Sequence, residues 1–310
     1  MNPLRIGTRG SPLALWQAHY IADLLRPLAV PRPVELIEIE TSGDRIRDAA
    51  LTQIGGDGVF TKEIQRALLD SMVDVAVHSL KDLPTAFIAG LTLAAVPERG
   101  PAGDAFVSHK HRHFDDLPPG AVVGTSSLRR RSQALHRRPD LNLVNLRGNV
   151  ETRLRKLEEQ DLDAIILAEA GLRRLGLESA ITELLDPRWM LPAVGQGALG
   201  LECRTDDMAT IGLLKQFDHL PTRQTVLAER ALLRGLGGGC LVPMGASARV
   251  EGKDLLLRGA VLSPDGQQRI AAEHRGAAAE AEAVGQQLAE RLLASGARAL
   301  LMASGDKLDY

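Results

Sequence analysis

Aromatic residues are scarce in this sequence, since only 3% of its 310 positions are Phe, Trp or Tyr. Proteins that stack nucleic-acid bases need aromatic platforms, so this scarcity argues against such a function. Lys and Arg number 37 against 39 Asp and Glu, which gives a net charge of -2. This overall balance points away from nucleic acid and from anionic membranes as partners.

Cysteine is equally scarce, with Cys203 and Cys240 as its two occurrences. They lie far apart and lack CxxC or Cys/His ligand spacing, which argues against a disulfide framework and a structural zinc. No stretch approaches the length of a membrane span, and the N-terminus reaches charged residues before any apolar run long enough for a signal peptide. We therefore expect a cytoplasmic protein.

What the chain does have is ample apolar content, at 45% of residues, which is enough to bury real cores. Its length predicts about two or three domains. Two segments rich in Pro and Gly, residues 97–101 and 189–198, are typical of chain crossings between domains. The strand predicted over 199–203 could rejoin the first sheet after the second crossing. Residues 247–250, 254–262 and 267–275 predict antiparallel strands, and 277–294 a closing amphipathic helix.

The segment LGGGCLVPMGA, residues 236–246, places Cys240 after three glycines. Because glycine has no side chain, a bulky group could approach this sulfur closely, as at an attachment point. The alternative is a helix ended by glycines, with Cys240 as a small buried residue. The segment alone leaves both interpretations open. Cys203 lies in an apolar strand and is interpreted as structural.

Near the N-terminus, a strand over residues 4–8 is followed by Arg9, Ser11 and a helix that reaches about residue 25. Ser11 suits the N-cap of this helix, and Pro12 suits its first turn. Backbone N–H groups at such a helix start can bind an anion, and Arg9 adds a positive charge beside them. Ordinary helix capping is the alternative.

Lys81 and Asp82 belong to the segment HSLKD, residues 78–82, which directly follows a continuous apolar strand predicted over residues 73–77. Open α/β sheets bind ligands just beyond the carboxyl ends of such strands. A carboxylate in that position could stabilise a cationic intermediate or transfer a proton. A surface ion pair is the alternative, but the position of Asp82 favours a functional role.

Arginines recur after three successive predicted strands, in the segments GTSSLRRR, LRGNVETR and AGLRR. Residues 122–156 contain nine Lys or Arg against two Asp or Glu, within a protein of net charge -2. Guanidinium groups pair well with carboxylate or phosphate, so we expect one edge of a sheet to bind a small polyanion. The His-rich segment 108–113 is not interpreted as a metal site, because its cations repel a metal and it offers no carboxylates.

Seven motifs, in order, resemble those of the porphobilinogen deaminase family: RIGTRGSPLALWQA, DVAVHSLKDLP, GTSSLRR, LRGNVETRL, AGLRRLG, LPAVGQGA and GGGCLVP. The resemblance covers nearly the whole chain. It implies an α/β fold with two periplasmic-binding-protein-like lobes, containing mixed or parallel sheets, and a C-terminal α+β domain. The implied domains are 1–97 with 198–217, then 101–192, and finally 220–310.

The resemblance also implies an activity. Family members join four porphobilinogen units head to tail on a dipyrromethane cofactor, release ammonia at each step, and yield hydroxymethylbilane for tetrapyrrole biosynthesis. By motif position, Cys240 would carry the cofactor and Asp82 would be the catalytic carboxylate that stabilises positive charge on the pyrrole. The residues expected to bind the carboxylates of cofactor and substrate are Arg9, Ser11, Lys81, Thr125, Ser126, Ser127, Arg129, Arg130, Arg147, Arg153 and Arg174.

The chain departs from the family at Gln53 and Asp57, where members commonly have lysines, so we assign no binding role to that loop. We expect a monomer that acts on a small molecule, without a metal, a membrane or nucleic acid. Two other hypotheses stay open: a non-catalytic anion-binding module, and a pyridoxal phosphate enzyme that uses Lys81 as a Schiff base.

Overall fold

The structure, a computed structural model, describes residues 2–45, 58–86, 88–237 and 242–305. Its strands are β1 (Leu4–Thr8), β2 (Val34–Glu38), β3 (Val75–Ser79), β4 (Leu91–Ala95), β5 (Asp104–Val107), β6 (Val122–Gly124), β7 (Asn142–Val144), β8 (Ala164–Ala168), β9 (Glu183–Leu184), β10 (Leu199–Arg204), β11 (Met244–Glu251), β12 (Asp254–Leu262) and β13 (Arg269–Ala277).

Its α-helices are α1 (Pro12–Ala29), α2 (Ser42–Arg45), α3 (Lys62–Leu69), α4 (Leu128–Arg137), α5 (Val150–Glu159), α6 (Glu169–Arg174), α7 (Met208–Leu214), α8 (Leu220–Gly235), α9 (Ala281–Ala294) and α10 (Ala297–Gly305). The chain divides into two compact units, Met1–Gly100 with Ala198–Arg223, and Pro101–Gly197 with Gln224–Tyr310.

The first unit is built on a five-stranded sheet of order β2-β1-β3-β10-β4. β1 pairs in parallel with β2 and β3, whereas β10 runs antiparallel to β3 and β4. The prediction that the chain returns to the first sheet after the second crossing is therefore confirmed. The two chain segments of this unit share one core, because Leu199 and Leu201 of β10 pack in the same cluster as Leu4 and Ile6 of β1.

Helix α1 covers one face of this sheet. Ser11 is its N-cap, as predicted, and its hydroxyl accepts a hydrogen bond from the N–H of Ala14 at 3.4 Å. The helix continues to Ala29, beyond the predicted end near residue 25. Its apolar stripe includes Ile21 and Leu25, both fully buried, and each such burial stabilises the fold by about 1.5–3 kcal/mol.

In the second unit, another five-stranded sheet has the order β7-β6-β8-β5-β9. Here β6 pairs in parallel with β7 and β8, and β5 runs antiparallel to β8 and β9. The two sheets therefore share one arrangement, in which three parallel strands are followed by an antiparallel one. Strand β5 was not predicted from the sequence, although it supplies the fully buried residue Asp104.

The C-terminal part of the chain forms an antiparallel sheet of order β11-β12-β13, which confirms the predicted strands. Leu255 and Leu257 of β12 share a core with Leu288 and Leu292 of α9. Gly245 of β11 allows a close approach, since a Cβ there would lie 2.7 Å from the carbonyl oxygen of Leu191. This packing joins the segment after the cysteine motif to the second crossing.

The fold class is thus α/β, with two five-stranded mixed sheets followed by a C-terminal three-stranded sheet with helices, as expected. The exact boundaries 1–97 with 198–217, 101–192 and 220–310 stay a prediction. No helix within the described ranges is both long and apolar enough to cross a membrane.

Candidate active site

The polar motif after β3 lies at the end of a buried strand. β3 begins two residues later than predicted and includes His78 and Ser79, and Leu80–Asp82 then form a short 3-10 turn. The N–H of Leu80 donates to the carbonyl of Ala198 at 3.0 Å. This bond ties the start of the turn to the residue that precedes β10. Lys81 and Asp82 are therefore held by backbone geometry at the carboxyl end of the sheet, where ligands bind in open α/β folds.

A cleft in the first unit opens at this end of the sheet. The residues that line it are Arg9, Ala14, Gln17, Phe60, Thr61, Ile64, Val77, His78, Ser79 and Asp82. The structure thus brings together two of the predicted site residues, Arg9 and Asp82. Ser11 and Lys81 are not among the residues that line this cleft, and Ser11 instead caps α1.

Arg9 is positioned by an aromatic ring. Its guanidinium carbon lies 4.2 Å from the centroid of the Phe60 ring, within the range of a cation–π contact. Arg9 follows β1 directly, and Phe60 precedes α3, so the contact joins two segments at the same end of the sheet. The cleft therefore contains a held positive charge and a carboxylate.

Gln17 and Ser79 are site residues that the sequence analysis missed. The amide of Gln17 donates to the Ser79 hydroxyl at 2.9 Å, and both line the cleft. The sequence contained a signal for Gln17, because this residue falls on the apolar stripe of α1. The structure shows Gln17 to be 2% exposed. A buried amide on such a stripe needs a polar partner, which marks it as a candidate site residue.

In the second unit, three loops with predicted binding residues meet at one edge of the sheet. They follow β6, β7 and β8, which run parallel, with β6 between the other two strands. Because parallel strands end at the same edge, this topology agrees with the expectation that one edge collects the arginines. The hydroxyl-rich loop after β6 leads into α4, the loop after β7 leads into α5, and β8 leads into α6.

The hydroxyl residues after β6 organise the start of α4. Ser127 is the N-cap, and its Oγ accepts a hydrogen bond from the N–H of Arg130 at 3.4 Å. Thr125 Oγ1 accepts from the N–H of Ser127 at 3.3 Å, and Ser126 Oγ donates to the carbonyl of Leu146 at 2.9 Å. These side chains therefore shape the loop and tie it to the neighbouring loop after β7.

Arg129 and Arg130 have an internal partner that the sequence analysis did not find. Arg129 contacts both carboxylate oxygens of Asp104, at 2.6 and 3.3 Å, and Arg130 donates twice to Oδ1, at 2.8 and 3.0 Å. Both arginines are 5% exposed, and Asp104 is fully buried. Two buried guanidinium groups thus share one carboxylate, which leaves one positive charge in excess among these three side chains.

Opposing effects act on the ionisation of this cluster. Burial alone would raise the pKa of Asp104, but the charges of Arg129 and Arg130 outweigh it and hold that pKa well below its ordinary value. Burial lowers the pKa of Arg130, against the attraction of Asp104. Arginine nevertheless stays protonated in proteins, so the cluster keeps its charges at neutral pH.

Backbone and amide groups complete the cluster. Arg129 also donates to the carbonyl of Leu191 at 2.7 Å, and Arg130 donates to that of Ile166 at 3.0 Å. Gln196, from the motif LPAVGQGA, donates to Asp104 Oδ1 at 3.0 Å. The arginines after β6 are therefore fixed both to β8 and to the second chain crossing.

Arg147, Arg153 and Arg174 differ from this buried pair, because all three are only partly buried. Arg153 Nε donates to the carbonyl of Gly148 at 2.8 Å, and Arg174 Nη2 donates to that of Gly197 at 2.7 Å. The carbonyl of Arg147 accepts from Lys156 Nζ at 3.3 Å. Arg147 thus lies in the loop after β7, Arg153 near the start of α5 and Arg174 at the end of α6.

The two cysteines differ in what the structure describes. Cys203 is fully buried in β10, and burial raises the pKa of its thiol to about 12, which makes it unreactive near neutral pH. Its predicted structural role agrees with this environment. Cys240 lies outside the described residues, as do Gln53 and Asp57.

The His-rich segment contacts carboxylates individually. Lys110 Nζ lies 2.7 Å from Asp161, and His111 Nε2 lies 3.9 Å from Asp163. Within the described part of the chain, no three His, Cys, Asp or Glu side chains are grouped so that they could hold a metal ion.

Two α/β sheets of matching strand order, with arginines and hydroxyl groups at the ends of parallel strands, define a two-lobed protein equipped to bind an anionic ligand. The chain belongs to the porphobilinogen deaminase family. The model for "Porphobilinogen deaminase, dipyromethane cofactor binding domain" matches residues 4–212, and that for "Porphobilinogen deaminase, C-terminal domain" matches residues 223–294. Family membership gives the chain hydroxymethylbilane synthase activity, a transferase reaction of tetrapyrrole and haem biosynthesis, with porphobilinogen as substrate and dipyrromethane as cofactor.

Among solved structures, the chain is similar to a periplasmic substrate-binding protein of an ABC transporter from Coxiella burnetii. The identity is 15%, the match covers 73% of this chain and 94% of that chain, and the TM-score is 0.43. It is also similar to the periplasmic VFT2 domain of BvgS from Bordetella pertussis, with 14% identity, coverage of 69% and 85%, and a TM-score of 0.40.

Proposed function

We propose that this chain joins four porphobilinogen units head to tail on a dipyrromethane primer held covalently by Cys240, and that it releases ammonia at each addition. Water then cleaves the bond between the primer and the four added units, so the linear hydroxymethylbilane leaves and the primer stays on the protein. The observation that carries this proposal is the family match over residues 4–212 and 223–294, which includes every predicted site residue. The following roles are assigned to residues of this chain.

Asp82 is assigned the catalytic role. When ammonia leaves, positive charge develops on the substrate pyrrole, and a carboxylate near the pyrrole N–H stabilises that charge. Asp82 suits this task because it ends the turn after β3 and lines the cleft of the first unit. Arg9, in the same cleft, is assigned to a carboxylate of the ligand.

The second unit is assigned to the remaining carboxylates. Each pyrrole unit carries an acetate and a propionate, so the bound chain is a polyanion that guanidinium groups can neutralise and hold in register. Arg147, Arg153 and Arg174 are assigned direct contacts, since they are partly buried at one sheet edge. Arg129 and Arg130 supply one net positive charge beneath that edge after pairing with Asp104.

The hydroxyl groups and Lys81 have supporting roles in this proposal. Ser127, Thr125 and Ser126 shape the loop after β6, as their hydrogen bonds indicate, and they orient its N–H groups toward a carboxylate. Ser11 acts likewise at the start of α1. Lys81 adds positive charge next to Asp82.

Cys240 is proposed as the attachment residue. The donor chemistry fits, because a thioether needs a cysteine and the motif GGGCLVP offers one between glycines and a proline. The other cysteine, Cys203, is a poor alternative, since it is fully buried with its thiol pKa raised to about 12. Dipyrromethane, when bound, supplies the free pyrrole position to which the first substrate unit is joined.

We further propose that the protein acts as a cytoplasmic monomer with no nucleic-acid partner, and that its domains are 1–97 with 198–217, 101–192 and 220–310. The near-neutral net charge and the few aromatic residues support the absence of a nucleic-acid partner.

An assay with porphobilinogen tests the proposed function. The purified protein should consume porphobilinogen and release ammonia in equal molar amounts. The product should be a linear tetrapyrrole that cyclises in acid to a porphyrinogen, which an added oxidant converts to a porphyrin. Binding of porphobilinogen without its consumption would contradict the proposal and would favour a non-catalytic anion-binding module.

A further inference from the structure

A buried histidine and a buried glutamate form a pair under the cleft of the first unit. His78 Nε2 lies 3.1 Å from Glu202 Oε2, and the two residues are 4% and 6% exposed. They belong to neighbouring antiparallel strands, β3 and β10. His78, like Val77 before it in the chain, is one of the residues that line the cleft. No role has been given to this pair so far.

Gln65 of α3 completes the surroundings of Glu202. Its amide nitrogen lies 3.2 and 3.1 Å from the two carboxylate oxygens. An ionised carboxylate only accepts hydrogen bonds, so the amide of Gln65 and the Nε2–H of His78 are the donors. With Glu202 ionised, this contact sets both the orientation of the imidazole ring and the nitrogen that carries its hydrogen.

Among the described residues, none forms a hydrogen bond with the other ring nitrogen of His78. Within the part of the chain that the structure describes, Nε2 makes the hydrogen bond recorded for this ring, and Nδ1 makes none. With its hydrogen held on Nε2, a neutral imidazole has an acceptor at Nδ1. An acceptor on a residue that is 4% exposed and lines a cleft suits a hydrogen-bond donor of a bound ligand.

We propose that His78 is a further ligand-contacting residue, whose Nδ1 accepts a hydrogen bond from the N–H of a pyrrole ring next to the ring whose N–H meets Asp82, and that Glu202 is its positioning residue. This inference rests on the proposed function. It follows from the chemistry of the substrate class, since each pyrrole ring of the bound chain carries one N–H donor, and Asp82 and His78 both line one cleft. The pair sets the orientation of the pyrrole, while the arginines bind its carboxylates.

Two substitutions separate this role from a structural one. In His78→Gln, the longer side chain places its amide near the position of Nε2, so the bond to Glu202 can persist while the acceptor at Nδ1 is lost. In His78→Asn, the shorter side chain places an acceptor near the position of Nδ1, but it does not reach Glu202. Each variant therefore keeps only one of the two hydrogen-bonding positions of the histidine ring.

The proposal predicts that the more stable of the two variants is the less active one. His78→Gln should keep its melting temperature near that of the wild type but lose kcat/KM by about tenfold or more, because a ligand donor loses its acceptor. His78→Asn should melt at a lower temperature and keep the higher kcat/KM of the two. A kcat/KM that follows thermal stability in both variants would overturn the proposal. His19→Gln, at an exposed histidine of α1, is the matched control and should change neither quantity.

Nitrogen NMR of the wild-type protein tests the tautomer directly, even if a variant fails to fold. With uniformly labelled ring nitrogens, and with the His78 signals assigned by their loss in His78→Gln or, failing that, by their coupling to the backbone, Nε2 should be protonated and Nδ1 unprotonated. A proton on Nδ1 would overturn the proposal. If the wild type consumes no porphobilinogen, the proposed function fails, whereas the tautomer of His78 is measured independently of activity.

Discussion

The carboxylate of Asp104 and the guanidinium of Arg129 form a two-point ion pair, with N–O distances of 2.6 and 3.3 Å, in which neither side chain is more than 6% exposed. Asp104 belongs to β5, and Arg129 lies in the first turn of α4. The pair thus connects the antiparallel strand of the second sheet to a helix that begins at the predicted anion-binding edge.

Asp104→Asn should lower the free energy of unfolding by about 3–5 kcal/mol, because it leaves two buried guanidinium groups without their counter-charge. Urea denaturation followed by circular dichroism measures this loss. The matched control is Asp140→Asn, which removes a carboxylate that pairs with Arg138 at the surface and should change stability little. Equal losses in the two variants would contradict the structural role of Asp104.

The pH dependence of this difference follows from the lowered pKa of Asp104. Because its pKa is lower in the folded protein than in the unfolded chain, its contribution is fully present above the unfolded pKa of about 3.9. The difference between wild type and Asp104→Asn should stay constant from about pH 7 to pH 5 and shrink below about pH 4. If the stability difference between wild type and Asp104→Asn disappears between pH 7 and pH 5, the lowered pKa of Asp104 is contradicted.

Asp82→Asn should lower turnover of porphobilinogen by about a hundredfold or more while the protein keeps its cofactor, because the amide cannot offset positive charge on the pyrrole. Steady-state assays measure turnover, and intact mass measures cofactor occupancy. Asp23→Asn, at an exposed aspartate of α1, serves as the control. Normal turnover in Asp82→Asn would remove Asp82 from the catalytic role.

Arg153→Gln should raise KM for porphobilinogen by about tenfold, since one charge-assisted hydrogen bond to a ligand carboxylate is lost. Arg155 provides a control on the same helix, because it is exposed and pairs with Glu159 at 3.0 Å. Arg155→Gln should leave KM unchanged. If both substitutions raise KM equally, the effect comes from the general charge of α5 and not from a contact of Arg153.

Much of the fold could be predicted from local patterns in the sequence. The strand before Lys81 and the capped helix after Ser11 were evident because apolar runs and N-cap residues are local signals. Helix α1 continues past its predicted end near residue 25 and contains Pro27, although a proline in a sequence is a common sign that a helix stops. The strand β5 was missed because it is short and lies next to the Pro/Gly-rich crossing.

The partners of the site residues were harder to predict, because they are distant in sequence. Arg129 is 25 residues from Asp104, and His78 is 124 residues from Glu202. The arginine motif indicated anion binding, but only the fold reveals that two of its arginines already share a buried carboxylate. Charge counts along the sequence do not contain that information, because pairing depends on which strands become neighbours.

The central claim is that Cys240 carries a covalent dipyrromethane, and the intact mass of the purified protein under denaturing conditions tests it most directly. The wild type should exceed its polypeptide mass by that of a dipyrromethane, Cys203→Ala should keep the excess, and Cys240→Ser should lose it. A wild-type protein that shows only the polypeptide mass, even after incubation with porphobilinogen, would contradict the claim.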